Sequence, residues 1–338
     1  MLPPEMAHKL AEQALKRGFL WRALSPRFQV TSERLKVNLA GIELTNPIGV
    51  AAGLDKDCRF LGSLINLGFG YVTGGTITAA PKAGNPRPRL VRNYSQESLV
   101  NALSFPSDGL EKVASRLEKE GPWEGARILS VTGTTVDDFL TCHSRLEPLA
   151  DAIELNISSP NTAGLKAFQE SEGFKDLVEK INAQRAKPLF IKIPPFLDDL
   201  AREGVLSLVR TCVDLGVNGV TAFNTHPVQD SRIKVGEGGL SGRTIFPDTL
   251  RMLREVVAEA KGKLSVNACG GIFSGSDAWQ ALKAGATTVQ LLTGLVYQGP
   301  STARTINREL LEPMEAQESG QLSSLQPSEQ ASASINSR

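Results

Sequence analysis

The stretch from Ile153 to Leu165, Ile-Glu-Leu-Asn-Ile-Ser-Ser-Pro-Asn-Thr-Ala-Gly-Leu, sets two amides and three hydroxyls directly behind an alternating apolar segment. Alternation with period two reads as a strand, and Ser, Pro, Asn and Gly read as a loop. In a parallel α/β protein, a strand running into such a loop is where a small-molecule site is built. A Ser-Pro-Asn run on its own is more often an ordinary turn with Asn caps. A second unusual residue is Lys192, inside Leu-Phe-Ile-Lys-Ile-Pro-Pro. A charge in a buried strand is costly unless it is paired. An anionic ligand beside an inward-facing lysine would meet that cost; the alternative is a lysine at the rim. Other polar or glycine-rich groups follow short apolar runs: Ala52-Gly53-Leu54-Asp55-Lys56-Asp57, Asn224-Thr225, Cys269-Gly270-Gly271 and Leu292-Thr293-Gly294. The last two expose backbone N–H groups of the kind that hold a phosphate. With Lys192 and the amides, they suit a phosphorylated cofactor such as FMN. No Walker-type Gly-Lys-Ser/Thr run occurs, and no Gly-x-Gly-x-x-Gly follows an early strand. Nucleoside triphosphates and a Rossmann nicotinamide site are thereby disfavoured.

Something must bring these groups together. From Asn46 onward the chain repeats short apolar run, turn, helical pattern. The runs are 47–51, 71–74, 128–131, 153–156, 189–193, 220–223, 264–268 and 289–292. Helical patterns follow near 57–67, 109–119, 137–149, 168–183, 197–215, 247–260, 276–284 and 300–314. Strands alternating with helices imply parallel pairing. Eight repeats without a break predict an α/β fold, a closed (β/α)8 TIM barrel with a small N-terminal helical extension; a doubly wound open sheet is the alternative. Two excursions interrupt the rhythm, 76–108 and 225–243, and are read as long loops of the kind that form lids or bind ligands.

The bulk composition bounds the function. Of 338 residues, 41% are hydrophobic and 22% charged, an ordinary globular balance. A formal net charge of +1 gives no electrostatic footprint for nucleic acid. Cys58, Cys142, Cys212 and Cys269 form no CxxC pair, and His8, His143 and His226 lie far apart, so no metal site is expected. No apolar run is long enough to span a membrane. Residues 1–24 start with Pro3-Pro4-Glu5, which suits a first helical turn, and Ala7, Leu10, Ala11, Ala14 and Leu15 are expected on one face. A small helix packed on the main domain and an amphipathic segment on a membrane surface explain this equally well. Residues 315–338 are rich in Ser, Gln and Ala and are expected to be disordered.

The chain resembles the dihydroorotate dehydrogenase family, and within it the membrane-associated, quinone-reducing class 2 form. The resemblance is carried by Asn46-Pro47-Ile48-Gly49-Val50-Ala51-Ala52-Gly53-Leu54-Asp55-Lys56, Gly84-Asn85-Pro86-Arg87-Pro88-Arg89, Asn156 to Leu165, Gly238 to Gly242 and Gln298-Gly299-Pro300. It implies an FMN-containing barrel that oxidises dihydroorotate to orotate in pyrimidine synthesis and passes electrons to a quinone. It implies Ser159 as the base, where class 1 relatives carry Cys, with Thr162 and Phe105 beside it as a proton relay. By the same resemblance Lys56, Asn101, Asn156, Asn161, Asn224 and Thr225 bind substrate. Ala52, Gly53, Thr76, Asn156 and Lys192 would contact the flavin, with Gly242, Gly270, Gly271, Thr293 and Gly294. His8 and Arg92 would line a quinone tunnel. The implied layout is 1–30 as the helical tunnel and membrane segment, 31–314 as the barrel and 315–338 as a tail. A monomer on the cytoplasmic face of the inner membrane is expected, without nucleic acid or metal.

Several positions depart from the family pattern. Asn-Arg-x-Gly-Phe-Asn is here Asn101-Ala102-Leu103-Ser104-Phe105-Pro106, and the Glu-x-Gly-Ser/Thr after strand two is Thr73-Gly74-Gly75-Thr76. Thr132 stands for the Asn after strand three, His226 for a second Thr, and Leu292 for a tunnel Tyr; Asn267-Ala268-Cys269-Gly270 replaces a glycine-richer run. Two other functions therefore stay open: another substrate on the same flavin barrel, or a weakly catalytic flavin-binding relative.

Overall fold

In the computed structural model, residues 2–121, 123–159 and 164–316 are described. Asn161, Thr162 and the tail beyond 316, on which expectations were placed, lie outside the described residues. Two helices come first, α1 (Pro4–Leu15) and α2 (Gly18–Leu24). The hairpin β1 (Val37–Leu39) and β2 (Ile42–Leu44) turns through Ala40 and Gly41, both at positive φ, as a two-residue loop requires. Its inner residues Val37, Leu39 and Leu44 pack with Tyr71, Ile128 and Phe190. This cluster plugs the lower end of the barrel.

The barrel strands are β3 (Ile48–Val50), β4 (Tyr71–Thr78), β7 (Ala126–Thr132), β8 (Ala152–Asn156), β9 (Leu189–Ile193), β10 (Gly219–Ala222), β13 (Ser265–Cys269) and β14 (Thr288–Leu291). They pair in chain order, all parallel, and β14 closes on β3 with Val289 opposite Ile48. The closed ring settles the choice against an open doubly wound sheet. Between the strands run α3 (Leu61–Asn66), α4 (Leu110–Lys119), α5 (Val136–Leu146), α6 (Ser171–Asn182), α7 (Asp199–Asp214), α8 (Phe246–Ala260) and α9 (Gly275–Lys283); α10 (Thr293–Gln298) and α11 (Thr302–Ala316) follow β14. Outward residues such as Ile153, Leu155, Ile191 and Ile193 pack on these helices in the main core. Start signals are local: Thr135 and Ser274 each form a capping box with the Asp three residues on.

The two excursions are not loops. They contribute β5 (Leu90–Asn93), β6 (Ser98–Asn101), β11 (His226–Gln229) and β12 (Glu237–Gly242) to one antiparallel sheet, in the order β11-β12-β6-β5. These strands are short, and β12 is half glycine, so local pattern did not reveal them. Their stability comes from pairing between distant segments, Gly239 opposite Asn101 and Leu240 opposite Val100. Gly239 is needed there: a Cβ would sit 1.9 Å from the Thr225 hydroxyl.

The N-terminal expectation needs one correction. Ala7, Ala11, Ala14 and Leu15 do share the inner face of α1, but Leu10 is 56% exposed and points away. Helical geometry turns a residue three from Ala7 and four from Ala14 onto the flank when the stripe is narrow. Leu2, Met6 and Phe19 (73% exposed) are likewise exposed on this N-terminal segment.

Candidate active site

Polar side chains at the upper ends of four strands form one hydrogen-bonded chain. The Thr76 and Ser130 hydroxyls lie 3.1 Å apart, and Asn156 Nδ2 donates to Thr76 Oγ1 at 2.8 Å. Ser158 Oγ donates to Asn156 Oδ1 at 2.6 Å and accepts from Asn224 Nδ2 at 2.7 Å. Thr132 Oγ1 donates to the Asn156 carbonyl at 2.9 Å, so it braces that residue's backbone. Every amide thus has a set orientation before any ligand arrives, which is what a preorganised polar site requires. Ser158 is the residue that reading the sequence missed. It looks like a spare hydroxyl beside Ser159, and only the fold brings Asn224, just past β10, to it as a second amide partner beside the local Asn156.

Thr76, Asn156 and Asn224 of this chain line a cavity of about 770 Å³ over the barrel mouth. Ser159, Phe105, Lys56, Asn101, Asn224 and Thr225 all face it. So do Ala52, Gly53, Thr76, Asn156 and Lys192, and on the far wall Gly242, Gly270, Gly271, Thr293 and Gly294. The same cavity continues to the inner face of α1, where His8 and Arg92 reach it. Every described residue expected at the site is therefore brought to one space; Asn161 and Thr162 are the two outside the description. Ser159 is half-buried, and Gln169 donates to its carbonyl at 3.4 Å.

Burial shapes the electrostatics. Lys56 Nζ donates to the Gly53 carbonyl at 2.5 Å, and burial pulls its ammonium below the usual lysine range, against Asp57 and Asp55. Burial, helped by Lys56, lowers His8 to about 4, so the ring is neutral near neutral pH. Lys192 is only 4% exposed, and its ammonium makes no hydrogen bond to described residues. Gln290 is also buried on the cavity wall with neither amide atom hydrogen-bonded; Tyr71 feels it from nearby, but outside hydrogen-bond geometry. A buried cation and a buried amide left open toward the same space suit an anionic, multiply hydrogen-bonding cofactor. Among the described residues no group of three His, Cys, Asp or Glu could hold a metal ion, and no helix is long and apolar enough to cross a membrane.

The family model described as dihydroorotate dehydrogenase matches residues 34–314. The chain belongs to the dihydroorotate dehydrogenase family. Among its relatives, a dihydroorotate dehydrogenase (quinone) from Sulfurimonas denitrificans is 36% identical over 328 residues, covering 93% of this chain and 92% of the relative. One from Thermus thermophilus is 37% identical over 332 residues, covering 94% and 95%. The crystal structure of a dihydroorotate dehydrogenase from Eimeria tenella in complex with ferulenol superposes with a TM-score of 0.85 at 28% identity, covering 96% and 94% of the two chains. Its ligand-free form gives 0.86 at 26% identity, covering 96% and 98%.

Against that family frame, the altered loop keeps an unusual backbone. Ser104 and Phe105 both have left-handed φ, 55° and 51°. Such residues cost about 1–3 kcal/mol each and persist where the surroundings over-determine them. A serine thus takes left-handed backbone at the position where the dihydroorotate dehydrogenase pattern has glycine. Pro106 sits beside the bridge that pairs Ser107 with Lys82, which anchors the loop's end. His226 is not a cavity residue; it is buried on β11 with Nδ1 3.8 Å from Asp248.

Proposed function

We propose that the protein oxidises dihydroorotate to orotate, with FMN as its bound flavin and a quinone as final acceptor. The observation that carries this is the single cavity that joins Lys56, Asn156, Ser159 and Asn224 at one end to His8 and the alanines of α1 at the other. One reducing site and one apolar channel in a shared space suit two substrates that meet the same cofactor in turn. FMN, when bound, would supply a hydride acceptor for the substrate and an electron donor for the quinone. Gly242, Gly270, Gly271, Thr293 and Gly294 would hold its phosphate and ribityl chain, and Lys192, Thr76 and Gln290 its ring.

Lys56 supplies the cation for the substrate carboxylate, and the Asn156, Asn224 and Asn101 amides match a pyrimidine edge that both donates and accepts. Ser159 takes the proton at C5. A serine is a weak base and needs a relay; Thr162 and the Phe105 ring are proposed to form it. Asn161 and Thr225 complete the substrate contacts. The apolar lining of α1 and the neutral His8 suit an uncharged quinone, with Arg92 at the rim. Exposed Leu2, Met6, Leu10, Phe19 and Leu20 support a peripheral hold on the cytoplasmic face of the inner membrane. The chain is read as a monomer.

Replacing Ser159 by Ala should slow flavin reduction at least about a hundredfold while FMN stays bound. Stopped-flow bleaching at the native rate would remove Ser159 as the base. The altered 101–108 loop favours a second reading, the same flavin chemistry on another substrate. An anaerobic visible spectrum with dihydroorotate separates the two: bleaching supports the first, and an unchanged flavin spectrum supports the second.

A further inference from the structure

We propose that Glu154, buried in the barrel below the cavity, is a positioning residue that balances the charge of Lys192 and so sets the reduction potential of the flavin. This rests on the reading that FMN occupies the cavity. Glu154 lies on β8 and is 1% exposed. Its Oε2 accepts from Thr221 Oγ1 at 2.7 Å, while Oε1 is buried with no hydrogen-bond partner. A carboxylate oxygen left bare in a protein interior calls for a positive charge nearby.

Lys192 answers to that description. It lies on β9, between the two strands that carry the Glu154 contact: Thr221 is its partner on β10 and Asn156 its partner on β8. Lys192 and Glu154 form no direct ion pair, so the proposed balance is one exerted across the barrel interior between β8 and β9. Screening there is weak because water and salt are excluded. The Cys269 thiol stands within the field of both: burial raises it, Lys192 lowers it and Glu154 raises it. Thr221 is held in turn, with Asn267 Nδ2 at 3.5 Å, Thr288 Oγ1 donating to Asn267 Oδ1 at 2.7 Å, and Tyr71 Oη 2.6 Å from Thr288 Oγ1. This row fixes one carboxylate oxygen and leaves the other without a donor.

The consequence is electronic. Lys192 favours the reduced, anionic flavin, and Glu154 offsets part of that effect. In the FMN-loaded full chain, Glu154→Gln should shift the reduced-to-oxidised ratio about tenfold toward reduced, a rise of about 30 mV for a two-electron couple. Glu154→Asp keeps the charge and should stay near the unaltered protein. Both are read by anaerobic redox titration against a reference dye. A purely structural glutamate would leave the potential of Glu154→Gln unchanged, and that result overturns the proposal. Should Glu154→Gln fail to fold, thermal unfolding of Lys192→Gln and of the double variant decides. Loss of Lys192 strands the carboxylate, so the double variant should melt above Lys192→Gln; melting at or below it overturns the pairing. If the unaltered protein takes up no flavin, the function fails as read, and the melting comparison still tests the charge pair.

Discussion

His8 and Asp55 both lie near Lys56 and carry opposite proton linkage. His8 titrates at about 4 in the fold, against 6.5 for an ordinary histidine, because burial disfavours its charge. Its contribution to stability is complete above the unfolded value and is lost as pH falls from 6.5 toward 4. Asp55 is raised by burial from 3.8 to about 6, against the backbone N–H groups of Arg59 and Phe60. Its contribution is complete below 3.8 and is lost as pH rises through 6. Across that shared window the two slopes oppose each other. His8→Gln removes only the first, so the variant's melting temperature relative to the native chain should rise between about pH 7 and about pH 4.5. A difference that stays constant with pH would mean that His8 is not held neutral.

At the scale of elements, α1 is tied to the barrel and its first excursion through ion pairs at both of its ends. Arg59 reaches Glu12 of α1 at 3.2 Å and Asp108, at the end of the first excursion, at 2.6 Å. Asp108 also holds Arg116 of α4 at 2.9 Å, and its backbone N–H donates to Asp57. A second tie runs from Glu5 to Arg87 and Arg89 at 2.9 and 3.1 Å. Partly exposed pairs are weak singly and stronger in a network. Arg59→Gln should therefore cost about 1 kcal/mol or more, while Glu12→Gln, which leaves Arg59 paired with Asp108 and with Asp57 at 3.4 Å, should cost less. Equal losses in chemical denaturation would show that the network does not act as one.

For the molecule as a whole, the N-terminal helices form a wall of the cavity and leave the barrel ring intact. Deleting residues 1–24 should impair quinone reduction more than flavin reduction by dihydroorotate; equal loss of both half-reactions would undo the tunnel. The ring itself was legible in the chain. Parallel strands buried on the helix side keep near-continuous apolar runs, and eight such runs with helical spacers admit few other closures. The site residues were legible mainly through family motifs, since an amide or glycine after a strand has no chemistry of its own. The sequence alone determined the eightfold repeat, the polar strand ends and the family. Only the tertiary structure decided that the two excursions pair as one sheet, that Leu10 faces outward, that Ser158 links two amides and that Glu154 shares the barrel with Lys192. Each of these depends on contacts between residues far apart in the chain. No local propensity encodes such contacts, because their energy exists only once the ring has closed.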